Sequence, residues 1–137
     1  MKTIYTTNVT AKGGREGKVK SNDGNLNLEL RAPGIKENEG KHYTNPEQLF
    51  AAGYAACFDS ALNYVARLQN VKIESQVTAT VNLLQSEEEG FKLSVTIEAA
   101  VNGVEKDLAY DLLKKAHATC PYSKAVNNNV DVAIHLN

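Results

Sequence analysis

Asn45-Pro46-Glu47-Gln48-Leu49-Phe50-Ala51-Ala52-Gly53-Tyr54-Ala55-Ala56-Cys57-Phe58 begins with helix-start signals, then runs apolar to a single thiol near its end. Asn45 is a capping residue, Pro46 stands where its missing N–H costs nothing, and the Gln48 amide can bond back to the cap. The run predicts a helix from Pro46 to about Gln69. Its first half is apolar on every side, which predicts burial all round, and its alanines and Gly53 let neighbouring backbones come close. This reads as a central helix.

Upstream, Ile4 to Lys12 alternates as a strand and Gly13-Gly14-Arg15-Glu16-Gly17 turns the chain. Asn22-Asp23-Gly24-Asn25 is a hairpin signal between strands Lys18–Ser21 and Leu26–Arg31, with Leu26, Leu28 and Leu30 facing inward. Ala32 to Tyr43 has Pro33, two glycines and several charges without period, and so is a loop. Downstream, Val71 to Gln85 and Phe91 to Val101 alternate around the turn Ser86-Glu87-Glu88-Glu89-Gly90, giving a long hairpin. Val104 to Ala118 carries Leu108, Leu112 and Leu113 at helical spacing. Cys120-Pro121 interrupts it, a short helix follows to about Asn127, and Val130 to Leu136 is a closing strand. The order β-β-β-α-β-β-α-β predicts an α+β fold with antiparallel sheet, in a single domain covering 1–137.

The 137 residues are 42% hydrophobic and 23% charged with a formal net charge of -1, a globular composition that gives no electrostatic reason to expect nucleic acid or anionic lipid as a partner. Met1 to Asn8 lacks a secretory apolar segment, and Leu49 to Phe58 is too short to cross a bilayer. These features lead to the expectation of a cytoplasmic protein without membrane contact. In that reducing compartment a lasting disulfide is unusual, whereas a transient catalytic one is not.

Cys57 and Cys120 are the two cysteines, far apart in sequence and unable to form the closely spaced pairs of structural zinc sites. A redox couple made by folding is the leading explanation. The structural alternatives stand beside it: a cysteine in an apolar helix is often a small core residue, and Cys-Pro also occurs simply at helix ends. Arg15, in its glycine-flanked turn, is a cation that can hold a thiolate, or else a solvated surface charge. Glu47 either favours the helix dipole from the first turn or pairs with Arg15 and fixes the direction of the guanidinium.

Glu47 and Cys57 are separated by about 15 Å along one helix, from a rise of about 1.5 Å per residue. If both serve one site, a second subunit is the simplest supplier of one of them, so the expectation is a homodimer with active sites at the interface. His117 and Cys120, with Cys57, have a spacing compatible with a metal, but no fourth ligand is evident and no metal is expected. Tyr43, Tyr54, Tyr64 and Tyr122 read as packing groups. Asp59 and Ser60 point away from Cys57 and take no catalytic role.

Gly14-Arg15-Glu16-Gly17, Asn22-Asp23-Gly24, the block Thr44 to Phe58 and Cys120-Pro121-Tyr122-Ser123-Lys124-Ala125 together resemble the organic hydroperoxide resistance proteins. That family lies in the superfamily that includes the osmotically inducible protein C group. The resemblance runs in order along the whole chain, and the length suits the compact organic hydroperoxide branch. It implies an intertwined homodimer, with antiparallel sheets wrapped around long central helices. It also implies a thiol-dependent peroxidase of alkyl and lipid hydroperoxides, with Cys57 peroxidatic, Cys120 resolving, and Arg15 with Glu47 activating the thiolate. No bound cofactor is implied; the electrons come from an external dithiol, the lipoyl group of a lipoylated protein. Phe50, Tyr54 and Phe58 would line the substrate pocket. One departure is the charged loop Lys36 to Tyr43, often glycine-rich in the family, which bears on substrate preference and loop motion rather than on the chemistry.

Rival readings remain at this stage. An OsmC-type peroxidase would differ in peroxide preference. A cysteine hydrolase or acyl transferase would need a histidine beside Cys57. A redox-sensing or small-ligand module would form the disulfide without turnover.

Overall fold

A computed structural model describes residues 1–38 and 40–137; Glu39, in the charged loop, lies outside the described residues. The chain divides into two compact units, Met1–Leu49 and Phe50–Asn137.

The first unit holds a three-stranded antiparallel sheet in the order β1 (Val9–Lys12), β2 (Lys18–Ser21), β3 (Asn27–Glu29). A 3-10 turn over Gly14–Glu16 joins β1 to β2. The expected strand from Ile4 is therefore corrected: β1 starts at Val9, opposite Ser21, and beyond that pair one bond follows, from the Asn22 N–H to the Asn8 carbonyl at 3.1 Å, before the partner strand turns away at Asn22–Asn25. The Asn22–Asn25 hairpin is as expected. Asp23 accepts from the Asn25 N–H at 2.9 Å and from the Ser21 hydroxyl at 2.6 Å. These bonds hold the Asp23 carboxyl below its ordinary range, the Ser21 bond most of all. Leu30 is buried but Leu28 is exposed, so the inward row of three leucines holds only in part.

Helix α1 spans Pro46–Leu68. The Gln48 N–H donates to Asn45 Oδ1 at 2.8 Å, the expected cap. The Gln48 amide does not return to the cap: its Oε1 accepts from the Thr44 hydroxyl at 2.9 Å. Burial all round is also corrected. Tyr54, Phe58, Ala61, Leu62, Val65 and Ala66 are buried, while Ala52, Ala56, Ser60 and Tyr64 form an exposed row four residues apart. One chain covers one face of the helix and leaves the opposite row to solvent.

The second unit adds β4 (Glu74–Ser86) and β5 (Gly90–Asn102), the long antiparallel hairpin, then α2 (Lys106–Thr119), α3 (Pro121–Val126) and β6 (Asp131–Leu136). β6 pairs in parallel with β5, so this sheet is mixed rather than wholly antiparallel. The reason is topological: the α2–α3 connection carries the chain back to the start of the sheet before β6 begins. Val95, Ile97 and Ala99 of β5 close a core with the buried face of α1 and with Leu112, Leu113 and Ala116 of α2. No helix among the described residues is long and apolar enough to cross a membrane.

Candidate active site

In the first unit, the turn carrying Arg15 is built to be rigid. A Cβ on Gly17 would stand 1.7 Å from the Lys12 carbonyl oxygen, so only glycine lets the chain pass there. Arg31 Nη1 donates to the carbonyls of Leu30 at 2.5 Å and Glu16 at 3.2 Å, and Glu16 Oε1 accepts from the Ala32 N–H at 3.0 Å. From this braced turn, Arg15 reaches Glu47 on the first turn of α1. The fork is bidentate: Nη1 donates to Oε2 at 2.7 Å and Nη2 to Oε1 at 2.5 Å. The guanidinium holds the Glu47 carboxyl below its ordinary range, and the carboxylate in turn raises the Arg15 pKa. The structure thus brings together the two charged residues singled out from the sequence. Sequence reasoning missed Arg31 and Glu16, which brace the turn through backbone carbonyls and N–H groups and through their own ion pair, Arg31 Nε to Glu16 Oε2 at 3.8 Å.

In the second unit, Cys57 of α1 and Cys120, at the joint of α2 and α3, are neighbours with free thiols. Cys120 is fully buried and Cys57 half-buried. Burial is the largest influence on the Cys57 thiol and pushes its pKa up. The Tyr122 backbone N–H, directed at the sulfur, lowers it, and the Cys120 thiol adds to the rise. Within this unit these influences together favour the neutral thiol.

Tyr54 and Phe58 have no solvent exposure and belong to the core; Phe50 is half-buried, its ring stacked on Tyr54 at 6.3 Å between centroids. The Tyr54 hydroxyl meets Ser123 Oγ at 2.7 Å, and Ser123 Oγ in turn meets His117 Nδ1 at 2.9 Å. Ser123 was not singled out in the sequence, and His117 only as a metal ligand. Their offsets of three on either side of Cys120 were the available signal. Among the described residues no group of three or more His, Cys, Asp or Glu is placed to hold a metal. Tyr64 is exposed, and Tyr43 lies under the Arg31 guanidinium at 4.6 Å.

Residues 38–135 match the family model described as OsmC-like protein. The chain is 51% identical to the organic hydroperoxide resistance protein OhrA of Bacillus subtilis over 135 residues, 97% of this chain and 96% of that one. It superposes on the crystal structure of OhrB of Bacillus subtilis with a TM-score of 0.92 at 44% identity, covering 98% of this chain and 100% of that one. A Vibrio cholerae structure described as a putative organic hydroperoxide resistance protein, with captopril in one of its active sites, matches with a TM-score of 0.90 at 47% identity, covering 100% of this chain and 94% of that one. With a braced Arg15–Glu47 fork in one unit, a close thiol pair in the other and these relatives along its whole length, the chain belongs to the OsmC/Ohr family.

Proposed function

We propose that the protein is a cysteine-based peroxidase of organic hydroperoxides, working in the cytoplasm as one functional domain. The observation that carries this reading is the pairing of Cys57 with Cys120, two free thiols from distant segments held side by side, one buried and one half-buried. The names of the relatives, which speak of organic hydroperoxide resistance, support the substrate class.

The Cys57 thiolate attacks the outer oxygen of the peroxide bond. The O–O bond breaks, the alkoxide leaves as an alcohol after taking a proton, and Cys57 becomes a sulfenic acid. Cys120 condenses with it, releasing water and forming a disulfide. A dithiol then reopens the bond by two exchanges and is itself oxidised. A lipoyl arm, slender and carrying both sulfurs, suits a partly buried disulfide.

Since burial and Cys120 favour the neutral thiol, ionisation requires a cation. We assign that role to Arg15, oriented by Glu47. The exposed row Ala52, Ala56, Ser60 and Tyr64 supports a second copy packed on α1, with active sites at that interface. Phe50, half-buried and stacked on Tyr54, supplies the apolar wall that favours alkyl over hydrogen peroxide. The hydrolase reading would need a histidine bonded to Cys57; among the described residues His117 bonds to Ser123 and no histidine bonds to Cys57.

The test is steady-state consumption of cumene hydroperoxide and hydrogen peroxide with dihydrolipoamide or reduced thioredoxin as donor. Rapid turnover with the alkyl peroxide and dihydrolipoamide is expected, lost in Cys57→Ser. Undiminished turnover in that variant would remove the assignment.

A further inference from the structure

Three side chains from three helices meet inside the second unit, around the thiol pair rather than on it. Tyr54 comes from α1, three residues before Cys57; His117 comes from the last turn of α2, three before Cys120; Ser123 comes from α3, three after Cys120. Tyr54 is 0% exposed and Ser123 2%. A buried phenol and a buried hydroxyl both require partners. Ser123 serves two at once, at 2.7 Å to Tyr54 Oη and 2.9 Å to His117 Nδ1, with one proton to give and lone pairs to accept. Breaking the Tyr54 bond strands a buried phenol, and breaking the His117 bond leaves Ser123 held from one side only, so the three groups act as a unit.

What this unit ties down is the Cys120-Pro121 elbow. Cys120 ends α2 and caps α3, with its own N–H on the Ala116 carbonyl at 2.8 Å and its carbonyl accepting from the Lys124 N–H at 3.0 Å. Nothing in those backbone bonds fixes the elbow to α1. Besides the Tyr122 N–H directed at the Cys57 sulfur, the Ser123–Tyr54 bond does, one helical turn from Cys57, and His117 fixes Ser123 from the other side of the elbow. Disulfide closure is demanding: the two Cα atoms must lie within a narrow range and the sulfurs near a right-angled torsion. A misplacement of about 1 Å can cost on the order of 100-fold in rate.

We propose that Tyr54, Ser123 and His117 form a clamp that holds the elbow bearing Cys120 against α1 and so sets the rate at which the Cys57–Cys120 disulfide closes. The inference rests on the roles given above to the two cysteines. The step it governs is balanced. The sulfur–oxygen bond of the Cys57 sulfenic acid breaks, the sulfur–sulfur bond forms, and hydroxide leaves with the Cys120 thiol proton as water. Ser123 and His117 touch no reacting atom in this step; they are positioning residues. A loose elbow leaves the sulfenic acid standing, open to a second hydroperoxide that would carry it to the sulfinic acid.

The experiment is single-turnover oxidation of the full-length protein by cumene hydroperoxide. Loss of the Cys57 thiol, capture of sulfenic acid by dimedone and appearance of the Cys57–Cys120 disulfide are followed by quench and mass spectrometry. Ser123→Ala is expected to leave thiol loss within about twofold of wild type and to slow disulfide appearance about tenfold or more, with more dimedone adduct and more sulfinic acid at high peroxide. Ser123→Thr, which keeps the hydroxyl, restores closure. His117→Ala, at a half-buried position, repeats the effect and decides the matter should Ser123→Ala fail to fold. Closure at the wild-type rate in the folded variants overturns the clamp, as does equal slowing of both steps, which is the mark of a generally weakened fold. If instead the wild-type protein forms no Cys57–Cys120 disulfide with hydroperoxide, the proposed function itself has failed.

Discussion

The Tyr122 ring occupies the space that a side chain on Gly53 would need: a methyl group there would stand 2.6 Å from the Tyr122 hydroxyl oxygen and 3.0 Å from two ring carbons. Gly53 lies four residues before Cys57 on α1, and Tyr122 is the residue whose N–H is directed at the Cys57 sulfur. The bare helix surface at Gly53 thus lets the segment after Cys120 lie flat on α1.

Gly53→Ala should separate stability from chemistry. Alanine in a helix interior gains about 0.5–1 kcal/mol over glycine, and the Tyr122 ring, 40% exposed, can swing outward at small cost. The melting temperature should therefore change little, while disulfide closure slows about tenfold as the elbow shifts. Adding Tyr122→Ala, which removes the obstructing ring, should restore part of the rate. Quenched single-turnover oxidation measures both.

Removing Cys120 should make Cys57 more acidic. Burial is the chief cause of the raised Cys57 pKa, and the Cys120 thiol adds to it. Cys120→Ser is expected to lower the Cys57 pKa, read from thiolate absorbance against pH, and to speed iodoacetamide labelling near neutral pH. An unchanged titration would contradict the contact between the two thiols. In the wild-type protein the raised folded value means that Cys57 contributes stability below its ordinary pKa of 9.0, lost as pH climbs through the folded one.

Glu47 should titrate below its ordinary value of 4.5, because the Arg15 fork stabilises the carboxylate. The sign follows: the contribution of the pair is complete above 4.5 and disappears as pH falls through the lowered folded value. Carbon-detected NMR of the Glu47 carboxyl is expected to show this, and Arg15→Met should return the midpoint toward 4.5. The same variant should slow peroxide consumption about 100-fold, the scale for losing one preorganised charged donor.

Arg31 should matter for Arg15 without touching it. Arg31→Gln removes the charge-assisted bonds to the Leu30 and Glu16 carbonyls, worth about 1.5–3 kcal/mol together with their burial. Amide exchange at Glu16 and Gly17 should rise and the peroxidase rate should fall severalfold. Gly17→Ala should be far harsher, since its methyl group would meet the backbone of Lys12, which has no room to give.

Local elements were legible in the sequence where the signal was local. Asn45-Pro46 announced the start of α1 through cap chemistry, Asn22-Asp23-Gly24-Asn25 announced its hairpin through turn conformation, and Val77 to Leu83 with Leu93 to Ile97 announced theirs through alternation. Local signals failed where a partner was required. The run from Ile4 has strand character but no paired strand before Val9, and the parallel seat of β6 depends on where α2 and α3 deliver the chain.

The candidate site divides along the same line. Residue types and order were enough to single out Cys57, Cys120, Arg15 and Glu47, and a long shared pattern was enough to name the family. Their meeting was a matter of packing. Arg15 and Glu47 are 32 residues apart and Tyr54 and Ser123 are 69 apart, distances over which no backbone propensity acts. The amino-acid order could therefore supply the reactive groups. Burial of the core, which fixes α2 and α3 against α1, decided which of them face each other and pushed the Cys57 pKa upward.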